Sequence, residues 1–145
     1  MNETDKLVFF IDRSLGKKQV AEALKKTGAT AVIHDEHFSQ DTPDVEWLTQ
    51  VGALNWVVLT KDEKIGYRTL EQVAVAQAGV RLFVLISRNI TGIEMAEAFV
   101  KALSHIEQFV KDNAAPFMAK VYKSGEVKLW KNRDTLLAIL SDITF

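Results

Sequence analysis

Three aspartates in this 145-residue chain stand where a carboxylate can do chemistry as well as face water. Asp12 ends the apolar run Leu7-Val8-Phe9-Phe10-Ile11. Asp44 and Glu46 open a helical stretch behind Pro43, and Asp62 closes Trp56-Val57-Val58-Leu59-Thr60-Lys61. A buried strand that finishes in Asp delivers its carboxylate to the C-terminal edge of a parallel sheet, the edge at which ligands bind in open α/β folds. Two such strands and an acidic helix start bring three carboxylates toward one point, and an all-oxygen ligand set suits Mg²⁺ or Mn²⁺. Each aspartate taken singly reads as a cap or a turn former. The repetition is what favours a metal site.

Basic residues flank these acids. Arg13, Lys17 and Lys18 follow Asp12, while Lys61, Lys64 and Arg68 surround Asp62. Cations at the rim of an acidic metal centre suit a phosphodiester, because they hold the phosphates that the metal activates. The stretch His34-Asp35-Glu36-His37 is the densest group of candidate ligands. A His-x-x-His pair binds zinc from one helical face, but the preceding residues read as a strand, so the expectation is a solvated loop near the site. Tyr67 next to Arg68 could stack on a base, and Trp47, Trp56 and Trp130 are expected in the core.

The elements that must position these groups follow from periodicity. Strands are expected over 7–11, 30–34, 56–60 and 81–87. Helices are expected over 17–26, from Pro43 to Val51 with Thr42 as N-cap, over 69–78 closed by Gly79, and over 92–112. Alternation of this kind predicts a mostly parallel sheet between two helical layers. Residues 117–122 and 127–130 around Ser124-Gly125 read as a C-terminal β-hairpin, and 135–140 as a short helix or strand. The whole is expected to be one domain, 1–145, with a core of about 7–115 and a tail of 116–145.

Phe9-Phe-Ile-Asp-Arg-Ser-Leu-Gly16, Asp44-Val-Glu-Trp-Leu48 and Val57-Val-Leu-Thr-Lys-Asp62 resemble, in that order, the motifs of the PIN-like nucleases, especially the short branch that includes VapC-type toxins. The resemblance covers about residues 7–115. It implies a three-layer PIN-like fold and metal-dependent hydrolysis of RNA by Asp12, Asp44 and Asp62 around Mg²⁺ or Mn²⁺. It also implies an antitoxin partner. A further acid is usual in that family, and Asp35, Glu36, Asp41, Glu46 and Glu63 compete for the place here. The common Asp-x-Asp-Phe ending is absent, since Asp62 is followed by Glu63-Lys64-Ile65-Gly66. Thr60 would fix a carboxylate or water, and Arg13, Lys61, Lys64 and Arg68 would grip phosphates. The alternative is a catalytically weak PIN-like module that binds RNA or protein. A receiver-like phosphoacceptor is disfavoured because Asp12-Arg13 lacks an acidic pair.

Composition narrows the classes further. There is no cysteine, so disulfides, thiolate zinc sites and Cys nucleophiles are excluded, and a reducing cytoplasm is the expected compartment. The formal charge of −1 gives no overall basic excess. The first residues do not read as an export leader, and no apolar run approaches the roughly 20 residues of a membrane span. The isolated glycines form no nucleotide-binding fingerprint. The apolar face Ala96, Phe99, Val100 and Leu103 suggests a homodimer.

Overall fold

In the computed structural model, which describes residues 6–142, the apolar runs become strands β1 (Val8–Ile11), β2 (Thr30–Ile33), β3 (Val57–Thr60), β4 (Arg81–Ile86), β5 (Phe117–Tyr122) and β6 (Val127–Lys131). Residues 1–5, on which the expectation about an export leader falls, and 143–145 lie outside the described residues. The amphipathic stretches become helices α1 (Gln19–Lys26), α2 (Asp44–Ala53), α3 (Thr69–Ala78), α4 (Gly92–Asp112) and α5 (Arg133–Asp142). The strands form one sheet in the order β2-β1-β3-β4-β5-β6. All pairs are parallel except β5 with β6. The fold is the α/β class expected, with the hairpin present. β5 is more than a decoration, because all six of its residues pair with β4.

Strand alternation divides the core in two. Phe9, Ile11, Leu59, Phe83 and Phe117 pack with α1 and α4 on one face. Phe10, Val58, Leu82, Val84 and Met118 pack with Trp47, Val51, Val75 and Leu136 from α2, α3 and α5 on the other. α1 runs between strands that step toward β2, and α4 between strands that step toward β6, yet both cover the same face. The β4–α4–β5 crossover therefore has the opposite hand to the other three. One consequence is that the α2–α3 face of the hairpin is left to α5 and the turn at 63–66.

Two boundaries differ informatively from expectation. α2 starts at Asp44 because Pro43 takes an extended conformation, φ −60° and ψ 147°, and serves as N-cap itself. The Thr42 hydroxyl lies 3.0 Å from that of Ser39 instead. The stretch after β2 is solvated at Asp35, Glu36 and His37, as expected, but it forms a 3-10 turn, and His34 at its start is 2% exposed. Its ring packs between Phe10, Phe38 and Trp47. α3 ends as expected, with Gly79 at φ 68°, a left-handed position that suits glycine.

Candidate active site

β1 lies between β2 and β3, so the chain leaves it in one direction and returns on its other side. That reversal opens a crevice at the C-terminal ends of β1 and β3. Asp12 and Asp62 sit there because each follows a strand of buried apolar residues. Asp12 is nearly buried, and its Oδ2 accepts hydrogen bonds from Ser14 Oγ at 2.8 Å and Thr60 Oγ1 at 2.7 Å. Those two hydroxyl oxygens are 3.1 Å apart. They also accept from the backbone, Lys61 N at 2.9 Å to Ser14 and Asp62 N at 3.0 Å to Thr60. Two hydroxyls thus lock the end of β1 to the segment that carries Asp62.

The other carboxylates are anchored in the same one-sided way. Asp44 Oδ1 accepts from Trp47 Nε1 at 2.9 Å, an i to i+3 contact within the first turn of α2, and Trp47 is itself buried. Asp62 Oδ1 accepts from Lys64 N at 3.0 Å. In each case one oxygen is tied to the protein. The second oxygens of Asp44 and Asp62 face Arg68 Nη1, both at 3.8 Å, and Asp12 Oδ1 takes no hydrogen bond among the described residues.

Glu71 completes the group, and the sequence reading missed it. It lies in the first turn of α3, is 9% exposed, and accepts from Arg68 Nη1 at 3.2 Å. An acid in a first helical turn looks like an ordinary response to the helix dipole; only its burial marks it. Ser14 lies inside the motif around Asp12, but nothing in its type or place marks it as a partner of that carboxylate. Burial pushes the Asp44 carboxyl above its usual value; Trp47 opposes this, and the negative charges of Asp12, Asp62 and Glu71 add to it. The four acids therefore share one electrostatic field.

The other candidates fall elsewhere. Asp35 pairs with Arg13 at 3.1 Å and lies 3.2 Å from His34 Nδ1. Glu36 Oε1 approaches the backbone of Ile33 at 3.5 Å. Glu46, Glu63 and Asp41 are exposed, and Asp41 accepts from Ser39. Arg13 also donates to the carbonyl of Gln40, and with Lys17, His34 and Asp35 it lines a cavity of about 200 Å³ beside β2. Lys61 and Lys64 flank Asp62.

The donor chemistry fits a hard divalent cation: carboxylates only, each held by one oxygen and leaving the other available. As they stand, no three His, Asp or Glu side chains among the described residues are close enough together to hold one ion. The positive charge among Asp44, Asp62 and Glu71 is instead the Arg68 guanidinium, at 3.8, 3.8 and 3.2 Å.

The sequence profile of the family described as "PIN like domain" matches residues 7–87, which carry β1 to β4 and all four acids. The chain belongs to this family. The PIN-like chain is similar to the Mycobacterium tuberculosis protein named "Putative ribonuclease VapC45", with 27% identity over 124 residues, 83% of this chain and 89% of that one. The match thus runs beyond the PIN-like segment into the hairpin. No solved structure matches the chain.

Proposed function

We propose that this PIN-like protein is an endoribonuclease dependent on Mg²⁺ or Mn²⁺, and the toxin half of a toxin–antitoxin pair. The observation that carries the reading is the one-sided anchoring of Asp12, Asp44 and Asp62 at the reversal point of the sheet. Its similarity to a protein named as a ribonuclease supports the same class. When bound, a divalent ion supplies an acidified water for in-line attack and a counter-charge for the leaving oxygen. Asp12, Asp44 and Asp62 would hold it, with Glu71 in the place for which Asp35, Glu36, Asp41, Glu46 and Glu63 competed.

The chain's own groups do the rest. Ser14 and Thr60 orient Asp12 by donating to one of its oxygens. Trp47 does so for Asp44. Arg68, half-exposed at the mouth, is placed to move from the carboxylates to a phosphate, and Arg13, Lys61 and Lys64 carry the rim charge. Among the described residues no helix is long and apolar enough to cross a membrane, and we place the working protein in the cytoplasm as a single domain, with an antitoxin covering the acidic crevice. A homodimer through α4 is part of the same proposal. Val100 and Ile93 are exposed there, while Phe99 is buried in the core.

One observation favours a second reading, a catalytically weak PIN-like binding module: a guanidinium stands among the acids where a metal ion would be useful. Calorimetric Mn²⁺ titration of the wild type, Asp12→Asn, Asp44→Asn and Asp62→Asn separates the two. The nuclease reading expects binding that each substitution weakens. A wild type that takes no Mn²⁺ at millimolar concentration would leave only the binding module.

A further inference from the structure

The C-terminal hairpin has no part in the acidic site, yet its register aligns it with that site. Thr60, Val84, Lys120 and Lys128 are consecutive partners across β3, β4, β5 and β6. Side chains in such a row share a face. It is the α2–α3 face, because Val58, Val84 and Met118 pack there. Lys120 thus lies about 10 Å from Thr60 along the row and Lys128 about 15 Å, at the usual strand spacing.

The charges on this face are not balanced. Lys120 and Lys128 stand directly opposite one another, an arrangement that repels. The ammonium groups of Lys120 and Lys131 both lie over the Trp130 ring, at 4.7 and 5.7 Å. Neither has a carboxylate partner among the described residues. Lys128 reaches Glu126 only at 4.0 Å, both side chains well exposed, and lies 5.8 Å from the Tyr122 ring. A single lysine laid over an indole is ordinary covering of apolar surface by its stem. Three on one side of one hairpin, two of them without acids, make a field that favours a polyanion.

Trp130 joins this basic face to the acidic crevice. Its ring lies against Gly66, at a spot where a Cβ would collide with it, so the turn after Asp62 is seated on the hairpin. Tyr67, the next residue and the neighbour of Arg68, sets its ring edge-on to Trp130 at 5.5 Å and is 68% exposed. An exposed aromatic ring amid lysines is what single-stranded nucleic acid uses, stacking for bases and cations for the backbone. An acidic protein would use the lysines but would have less use for the ring.

We propose that β5–β6 is a binding track for single-stranded RNA, with Lys120, Lys128 and Lys131 on the phosphates and Tyr67 against a base, leading the strand to the carboxylates. It rests on the ribonuclease reading. The test is fluorescence anisotropy of the full-length protein with a short labelled single-stranded RNA in EDTA over a range of salt, alongside Mn²⁺-dependent cutting of the same RNA. The triple substitution Lys120→Gln, Lys128→Gln and Lys131→Gln is expected to weaken binding and flatten the plot of log K against log salt by about 0.7 for each lysine that meets a phosphate. Tyr67→Ala, at an exposed position that leaves folding intact, is expected to weaken it roughly 5- to 150-fold, and Tyr67→Phe to restore it. A wild type that binds and cuts RNA, with variants matching it in affinity and slope, overturns the track alone. If only Tyr67→Ala is without effect, the stacking role falls and the face is one for polyanions of any kind, acidic proteins included. A wild type that neither binds nor cuts overturns the ribonuclease reading as well.

Discussion

Thr60 Oγ1 donates a 2.7 Å hydrogen bond to Asp12 Oδ2, joining the ends of two neighbouring parallel strands at the reversal point of the sheet. Thr60 is fully buried and Asp12 nearly so, so solvent cannot readily replace the donor. Thr60→Val keeps the shape and removes the hydroxyl. It is expected to destabilise the protein by about 1–3 kcal/mol in urea unfolding and to weaken Mn²⁺ binding, because Asp12 keeps only Ser14. An unchanged midpoint would mean that the hydroxyl is not positioning the carboxylate.

Arg68 competes with a divalent ion for the same oxygens. Its side chain is 46% exposed, so each ion pair is screened and contributes in the range of about 0–1 kcal/mol. Arg68→Ala is therefore expected to tighten Mn²⁺ binding by only about 2- to 5-fold while lowering the rate of RNA cutting. Arg68→Lys should restore the metal affinity to the wild-type value but not the full rate, since an ammonium lacks the guanidinium fork. Looser Mn²⁺ binding in Arg68→Ala would show that the guanidinium supports the carboxylates instead of competing.

How far the sequence reaches is visible in these two residues. Asp12 and Asp62 were legible because a run of buried apolar residues ending in Asp has few other placements, and the resemblance to PIN-like nucleases drew on the same runs. Glu71 was not, because its type and place are those of any helix start, and its burial comes from the packing of α3 against its neighbours. Asp35 and Glu36 looked better by proximity in sequence. Yet Arg13 and the backbone of Ile33 engage them instead. The side taken by α4, and with it the hairpin face that only α5 and the turn at 63–66 partly cover, depends on crossover hand, which periodicity does not encode.

Close packing of α2 on α3 keeps Asp44 and Glu71 in one field. A Cβ at Gly52 would stand 2.5 Å from Ala78 Cβ and 2.7 Å from the Ala78 carbonyl oxygen. Replacing a glycine within a helix by alanine ordinarily gains up to about 1 kcal/mol. Here the clash with backbone outweighs that gain, and Gly52→Ala is expected to destabilise by about 1–3 kcal/mol in thermal or urea unfolding. Increased stability would show that the two helices can separate freely.

Acid should loosen the hairpin's tie to α4. Lys123, at the hairpin turn, donates to Glu94 Oε2 at 2.8 Å, and Glu94 also accepts from the backbone of Thr91. The Lys123 ammonium, aided by Thr91, holds the Glu94 carboxyl down at about 2 from its ordinary 4.5. A depressed carboxyl stabilises the fold fully above 4.5 and loses that contribution as pH falls toward 2. The stability difference between wild type and Glu94→Gln should accordingly shrink across that window in denaturant titrations. A difference independent of pH would assign the contact no charge component.

Whether the anchored carboxylates hold a catalytic cation is read from the cutting of a single-stranded RNA by wild type and Asp12→Asn, each with Mn²⁺ and with EDTA. The wild type is expected to cut with Mn²⁺ and not in EDTA, with a loss on the order of 100-fold or more in a folded Asp12→Asn. Cutting that survives EDTA, or an Asp12→Asn as active as the wild type, would contradict a catalytic cation held there.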